Sequence, residues 1–336
     1  MLNRNIHQMC LVFLLSLCLP CIYGFTIKYN HKVPFICEVH DIDVRKLNDA
    51  LIYDLKYLFR ATPVLLFKNQ HLTPQQQYEF CKLFDSKSTS NIVHPFQDTM
   101  IPSCPQIALR GKGHIDDVFD VTNKTIQNGQ SFRFNKVWHQ DLVGNRNYLP
   151  TVVSSMYMIE TPKKGGSTYF ASLEKGYENL KANFNSFKIA NLRCCYSAKH
   201  AMNVEMDHTG YGRLDQYWNY NVEELMEIQE HLVVQPFIMY PDERSQKKSI
   251  MLSPNKLYSF LGFTPQKSQE MMRDILNQCV LVDNNIGEIH YDRNDLLIFN
   301  NRRVMHSSSP TEEVEGKRIF SLLFLDTKEK IVSCLK

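Results

Sequence analysis

A charge imbalance is what this chain most lacks. Across 336 residues, 38 Lys and Arg offset 35 Asp and Glu, leaving a formal net charge of +3. So small an excess gives no electrostatic case for nucleic acid or a membrane surface as partner. Internal repeats, heptad runs and low-complexity tracts are also missing, which argues against solenoids, coiled coils and compositionally disordered arms. No Pro/Gly/Ser-rich linker divides the chain. The cysteines follow neither zinc-motif spacing nor a disulfide scaffold. The apolar stretch Cys10 to Pro20 is too short to span a bilayer comfortably.

What is present is ordinary globular composition, 43% hydrophobic and 22% charged. Met1 to Met9 carries Arg4 and no acid, the apolar stretch follows, and Gly24 stands where a leader could be cleaved. This pattern reads as a signal peptide over residues 1–24, with 25–336 as one domain. A genuine leader places the chain in the secretory pathway; otherwise it is cytoplasmic. Asn123-Lys124-Thr125 is a glycosylation acceptor triplet, in keeping with secretion. Outside the leader lie Cys37, Cys81, Cys104, Cys194, Cys195, Cys279 and Cys334, an odd number. Burial as free thiols is the default, and a secretory route would permit one or two disulfides.

Periodicity predicts helices over Val44–Arg60, Pro74–Phe84 (after the cap Thr73), Leu173–Asn183, Val222–Glu230 and Pro265–Cys279. Strands are expected at Pro63–Phe67, Thr151–Ile159, Ser167–Ala171, Leu232–Tyr240, Ser249–Leu252, Leu296–Asn300 and Arg318–Leu325. Residues 86–134 are rich in Gly, Asn, Asp, Ser and Pro. They read as long loops with one strand at Gln106–Arg110. Strands dominating the second half, with helices outside them, indicate a mainly β chain with flanking helices, a double-stranded β-helix or jelly roll.

The chemistry concentrates in Trp138-His139-Gln140-Asp141 and Asn301-Arg302-Arg303-Val304-Met305-His306. His139 and Asp141 are two positions apart, so on a strand they share a face. With His306 they form two histidines and one carboxylate. That set suits Fe(II) and leaves one face of the octahedron open. His-x-Asp alone decides little, because it occurs three times: His114-Ile115-Asp116, His139-Gln140-Asp141 and His290-Tyr291-Asp292. His114 sits in a polar, glycine-containing stretch that reads as a solvated loop. His290 precedes a turn and reads as an edge-strand histidine. His139 is distinguished by the ordered series behind it: Gly165-Gly166-Ser167-Thr168, then His306, then Arg318.

That series resembles the taurine dioxygenase family of Fe(II)- and 2-oxoglutarate-dependent oxygenases, from about Val44 to Asp326. The segment Thr73–Phe84 is similar to the family's N-terminal region as well. The resemblance implies that His139, Asp141 and His306 hold iron, that Thr168 donates a hydrogen bond to 2-oxoglutarate, and that Arg318 binds its far carboxylate. A planar guanidinium pairs with a carboxylate through two hydrogen bonds, which lysine cannot do. O₂ would be the co-oxidant and a small, anionic, taurine- or sulfonate-like molecule the substrate. His94-Pro95-Phe96 resembles an element that supplies a substrate-contacting histidine. Arg110, Tyr211 and Arg213 are further candidates for an anionic substrate. Residues 111–129 look like added length that could reshape the pocket.

Three other readings stay open at this level. One is a jelly-roll binding protein without turnover, which loss of any ligand or of Arg318 would favour. Another is a zinc hydrolase on the same triad, which would leave Arg318 and Thr168 without a task. The third is a protein or peptide hydroxylase of the same chemistry. Homo-oligomerisation is compatible with all of them.

Overall fold

The computed structural model describes residues 24–127, 137–183, 189, 191–197, 199, 220–310 and 313–334. The leader expected at 1–24 therefore lies outside the described residues except for Gly24. In chain order the first strands are β1 (Thr26–Tyr29), β2 (Ile36–His40), β3 (Val64–Phe67), β4 (Met100–Ile101), β5 (Cys104–Val118) and β6 (Val121–Ile126). β7 (Val153–Glu160), β8 (Thr168–Ser172), β9 (Arg193–Tyr196), β10 (Val233–Pro236), β11 (Ile238–Tyr240) and β12 (Ser249–Ile250) follow. The last are β13 (Leu257–Phe260), β14 (Ile286–Ile289), β15 (Leu296–Asn300), β16 (Val304–Ser308), β17 (Arg318–Phe324) and β18 (Val332–Ser333). The α-helices are α1 (Asp49–Ala61), α2 (Pro74–Lys82), α3 (Leu173–Asn183), α4 (Val222–Glu230) and α5 (Pro265–Ile275).

A nine-stranded sheet in the order β1-β2-β3-β15-β7-β17-β5-β4, with β6 paired to β5, faces a three-stranded sheet β14-β8-β16. Strict alternation along the large sheet builds two cores. Leu65, Phe67, Val153, Tyr157, Leu296, Ile298, Ile319 and Leu323 point outward onto Leu55, Leu58 and Phe59 of α1 and Phe80 of α2. Val64, Leu66, Met156, Met158, Leu297, Phe299 and Phe320 point inward onto Phe170 and Val304 of the small sheet. This is a jelly roll, and its interior is the second of those layers. Smaller sheets, β10-β9-β13 and β12-β11-β18, with α3 and α5, enclose a third core.

The two N-terminal helices follow from their caps. Asn48 accepts the Leu51 N–H at 2.9 Å and starts α1 later than the apolar spacing from Val44 suggests. Thr73 and Gln76 form a reciprocal capping box at α2, with Pro74 in the first turn. The stretch expected as one strand, Leu232–Tyr240, divides at Phe237 into β10 and β11, which join different sheets.

The long loop expected over 86–134 is corrected in its middle part, while residues 128–134 lie outside the described residues. Residues 104–126 form the hairpin β5–β6, closed through Phe119 and Asp120, both at positive φ as a two-residue hairpin turn requires. His114 is thus an exposed strand residue whose Nδ1 meets the Thr125 hydroxyl at 3.1 Å. The glycines that suggested a loop have a packing cause. A Cβ on Gly111, at φ +128, would lie 1.7 Å from the Arg318 carbonyl oxygen. β17 comes so close to β5 there that only glycine fits.

The seven described cysteines are all free, and six are buried. Burial pushes the Cys81 thiol up to about 12 and the Cys104 thiol up to about 11, as expected for inert core thiols. Among the described residues no helix is long and apolar enough to cross a membrane.

Candidate metal and cosubstrate site

The segment before Asp141 joins the edge of the small sheet. The His139 N–H donates to the His306 carbonyl at 3.0 Å, and the His306 N–H donates back to His139 at 2.9 Å. A reciprocal antiparallel pair sets two residues directly opposite, side chains on one face. The two imidazoles accordingly stand with centroids 4.3 Å apart. Asp141, two residues on, turns to the same side. His139 Nε2 and His306 Nε2 each lie 3.7 Å from Asp141 Oδ1. One donor atom from each of the three residues falls within 4.8 Å of the others, a spacing that could hold a metal ion. His114 and His290 belong to no such group among the described residues.

Neighbouring groups aim these side chains. His139 Nδ1 lies 2.9 Å from the Val137 carbonyl, so it carries the proton and leaves the Nε2 lone pair toward Asp141. Ser154 Oγ donates to Asp141 Oδ2 at 2.7 Å, which leaves Oδ1 facing the histidines. Asn301 brackets the Asp141 backbone: its Oδ1 accepts the Asp141 N–H at 2.7 Å and its Nδ2 donates to the Asp141 carbonyl at 3.0 Å. The chain then turns sharply at Leu142, a bulky residue at φ 58. Such a conformation persists only where surroundings impose it, and it clusters at functional sites. His306 sits against Phe299 and Phe170, with centroids 4.9 and 5.9 Å away. Burial drives its imidazole down to about 3, with Asp141 opposing and His139 adding to the shift. A neutral imidazole is the form that binds metals.

The arginines before His306 are scaffold. Arg302 is fully buried and donates to the carbonyls of Pro150, Pro241 and Glu329 at 2.8–2.9 Å. Arg303 grips Glu174 through two hydrogen bonds, at 2.7 and 3.0 Å, and caps α1 through the Phe59 and Arg60 carbonyls. Replacing Arg302 with alanine strands three buried carbonyls. The expected loss is about 3 kcal/mol or more of unfolding free energy, read from the urea midpoint.

Deeper in the roll, Gly165 and Gly166 have φ +70 and +77, and a Cβ on Gly166 would meet Arg318 Cδ at 2.9 Å. The glycines let the Arg318 side chain cross here. Arg318 Nε donates to the Gly166 carbonyl at 2.8 Å, and its guanidinium lies 4.5 Å from the centre of the Phe320 ring. Arg318 is 3% exposed, and no described carboxylate pairs with it. Its Nη2 is buried without a partner, as is Thr168 Oγ1. An orphaned cation and an orphaned hydroxyl inside a core fit an absent carboxylate.

The substrate-side candidates diverge. His94 is buried, and both ring nitrogens are engaged within its own neighbourhood. Nδ1 accepts the Phe96 N–H at 3.2 Å, and Nε2 lies 2.8 Å from the Pro105 carbonyl. Backbone groups thus face both of its ring nitrogens. Arg110 is half-buried on the inner face, opposite Phe320, with its guanidinium 3.9 Å from the centre of the Phe96 ring and no acid among the described residues in ion-pair contact. Tyr211 and Arg213 lie outside the described residues.

Two groups escaped the sequence reading. Lys256 is half-buried and makes no side-chain ion pair with a described residue. Burial pulls its ammonium below the usual lysine range while Asp141 acts in the opposite sense. Tyr291 has a buried hydroxyl with no hydrogen-bond partner. Its only sequence signal was a place in a His-x-Asp triplet discounted as incidental.

The xanthine dioxygenase xanA of Emericella nidulans, named as alpha-ketoglutarate-dependent, is 23% identical over 331 residues, covering 82% of this chain and 88% of that protein. The (S)-phenoxypropionate/alpha-ketoglutarate-dioxygenase of Sphingobium herbicidovorans is 21% identical over 288 residues, covering 85% and 89%. Among solved structures, a putative alpha-ketoglutarate-dependent taurine dioxygenase from Burkholderia xenovorans superposes with a TM-score of 0.65 at 16% identity, covering 91% of this chain and 90% of that one. The profile of the taurine catabolism dioxygenase TauD, TfdA family matches residues 30–322. A match over most of the chain, on a jelly roll that brings two histidines and an aspartate together, leaves one assignment: the chain belongs to the TauD, TfdA family and is a 2-oxoglutarate-dependent dioxygenase.

Proposed function

We propose that His139, Asp141 and His306 hold Fe(II), that Arg318 and Thr168 hold 2-oxoglutarate, and that the enzyme oxidises a C–H bond of a small organic anion. The convergence of the three ligand atoms within 4.8 Å carries this reading. The orphaned Arg318 and Thr168 atoms in the same interior support it. Bound together, iron and 2-oxoglutarate would let O₂ serve as oxidant, one oxygen atom ending in the hydroxylated substrate and the other in succinate as CO₂ is lost.

The chain's own residues do the rest. His139, with its proton held on Nδ1 by Val137, offers Nε2 to the metal. Ser154 fixes which Asp141 oxygen faces it. Arg318, anchored on Gly166 and buried, would orient the cosubstrate through guanidinium Nη2. Phe299 and Phe170 wall His306 from water.

Leu142, Phe324 and Val93 form a cluster against which Phe96 and Leu322 pack, and the Arg110 guanidinium lies over the Phe96 ring. A cation without an acidic partner among the described residues, at the edge of an apolar patch, suits an anionic head on an apolar body. Taurine-like sulfonates share that head charge. A relative named for phenoxypropionate, a ring bearing a carboxylate, favours the larger body.

Anaerobic titration of the purified protein with Fe(II) and 2-oxoglutarate tests the centre. A visible metal-to-ligand absorption band is the expected result. A folded, metal-loaded protein that develops no band would overturn the assignment and favour the zinc or non-catalytic alternatives.

A further inference from the structure

We propose that Tyr291 is a third hydrogen-bond donor to the distal carboxylate of 2-oxoglutarate, acting beside Arg318 and Thr168. The inference rests on the cosubstrate reading above and extends it to a residue that reading does not use.

The placement begins with register. β14 pairs with β8 so that Ile289 stands opposite Thr168, the first residue of β8. Two residues farther on, Tyr291 packs against the inner core that contains Phe170, Met158 and Phe320. The ring is therefore held between the small sheet and the strand that carries Arg318. Its hydroxyl is buried and has no hydrogen-bond partner. The same is true of Thr168 Oγ1 and Arg318 Nη2. The Thr168 hydroxyl lies close enough to act on the phenol as a hydrogen-bond neighbour, and the Arg318 charge also favours its ionisation, which places both beside it.

Three buried polar groups without partners in one region are unusual, because folded chains satisfy nearly all such groups. The two hydroxyls can turn to each other, but Arg318 Nη2 has no acceptor among the described residues, and one acceptor placed between them would serve all three. A carboxylate does so: it is acceptor-only, with about four lone-pair sites on two oxygens. The guanidinium supplies charge and the two hydroxyls complete the shell. Burial pushes the Tyr291 phenol up to about 12, so it keeps its proton and remains a donor throughout the working pH range.

The test compares two ligands on the Mn(II)-loaded full-length protein by anaerobic calorimetry. One is 2-oxoglutarate. The other is 2-oxopentanoate, which has the same keto-acid end and a methyl group in place of the distal carboxylate. Tyr291→Phe keeps the ring and its packing and removes only the oxygen. The expected result is about ten- to a hundredfold weaker binding of 2-oxoglutarate and unchanged binding of 2-oxopentanoate. Equal weakening of both would mean that the phenol only shapes the pocket, and unchanged binding of both would mean that it touches neither; either overturns the proposal. Wild-type protein that binds neither ligand would sink the cosubstrate reading itself, a different failure.

Discussion

Asp141→Ala abolishes turnover and metal retention together. The carboxylate is the common neighbour of both imidazoles, each 3.7 Å from its Oδ1. Without it the site keeps two neutral nitrogens and no compensating negative charge. Loss of a group that merely supports a metal ligand costs about ten- to a hundredfold in affinity or activity. Loss of the only anionic ligand should cost about a thousandfold or more on that scale. Metal analysis after dialysis and 2-oxoglutarate-dependent CO₂ release measure the two losses. The fold should survive, because Asn301 bonds to the Asp141 backbone and not to its side chain. Ser154→Ala is the graded control: it frees Oδ2 and should fall in the smaller range. Full activity in Asp141→Ala would remove the triad from the mechanism.

Arg318→Lys loses the cosubstrate and keeps the metal. Arg318 reaches its place by crossing Gly166, donating to that carbonyl through Nε and leaving Nη2 free and buried. Lysine has one nitrogen for both tasks. It would either satisfy Gly166 or meet a carboxylate at a single point. Truncating one partner of a buried, hydrogen-bonded charge pair costs about 2–5 kcal/mol, so 2-oxoglutarate affinity should drop by a hundredfold or more. Calorimetry on the Mn(II)-loaded variant reads the loss, and metal analysis confirms that the triad is intact. Affinity within a few-fold of wild type would show that Arg318 does not hold the carboxylate. Because burial already works against the Arg318 charge, an unpaired lysine there would be a further burden on the fold. The thermal midpoint should be compared with and without cosubstrate.

The legible part of the chain was periodic or locally capped. The apolar runs in β7, β15 and β17 were legible as strands, and the structure sends their successive side chains into different layers. Thr73-Pro74 announced α2 by a cap that needs only neighbouring residues. The hairpin over 104–126 was not legible. Gly111 and Gly113 carry the signature of a loop, and only the nearness of β17, distant in the chain, makes them strand residues.

The candidate site divides in the same way. Sequence alone determined that His139 and Asp141 would share a face if extended, because that geometry belongs to any strand. Tertiary structure decided which of the three His-x-Asp triplets meets a second histidine, through two backbone hydrogen bonds between residues far apart in the chain. It gave the His94 nitrogens backbone partners, and it brought Lys256 and Tyr291 forward. The physical reason is the same throughout. A periodicity is a property of one segment, but whether a polar group is satisfied depends on every segment packed against it.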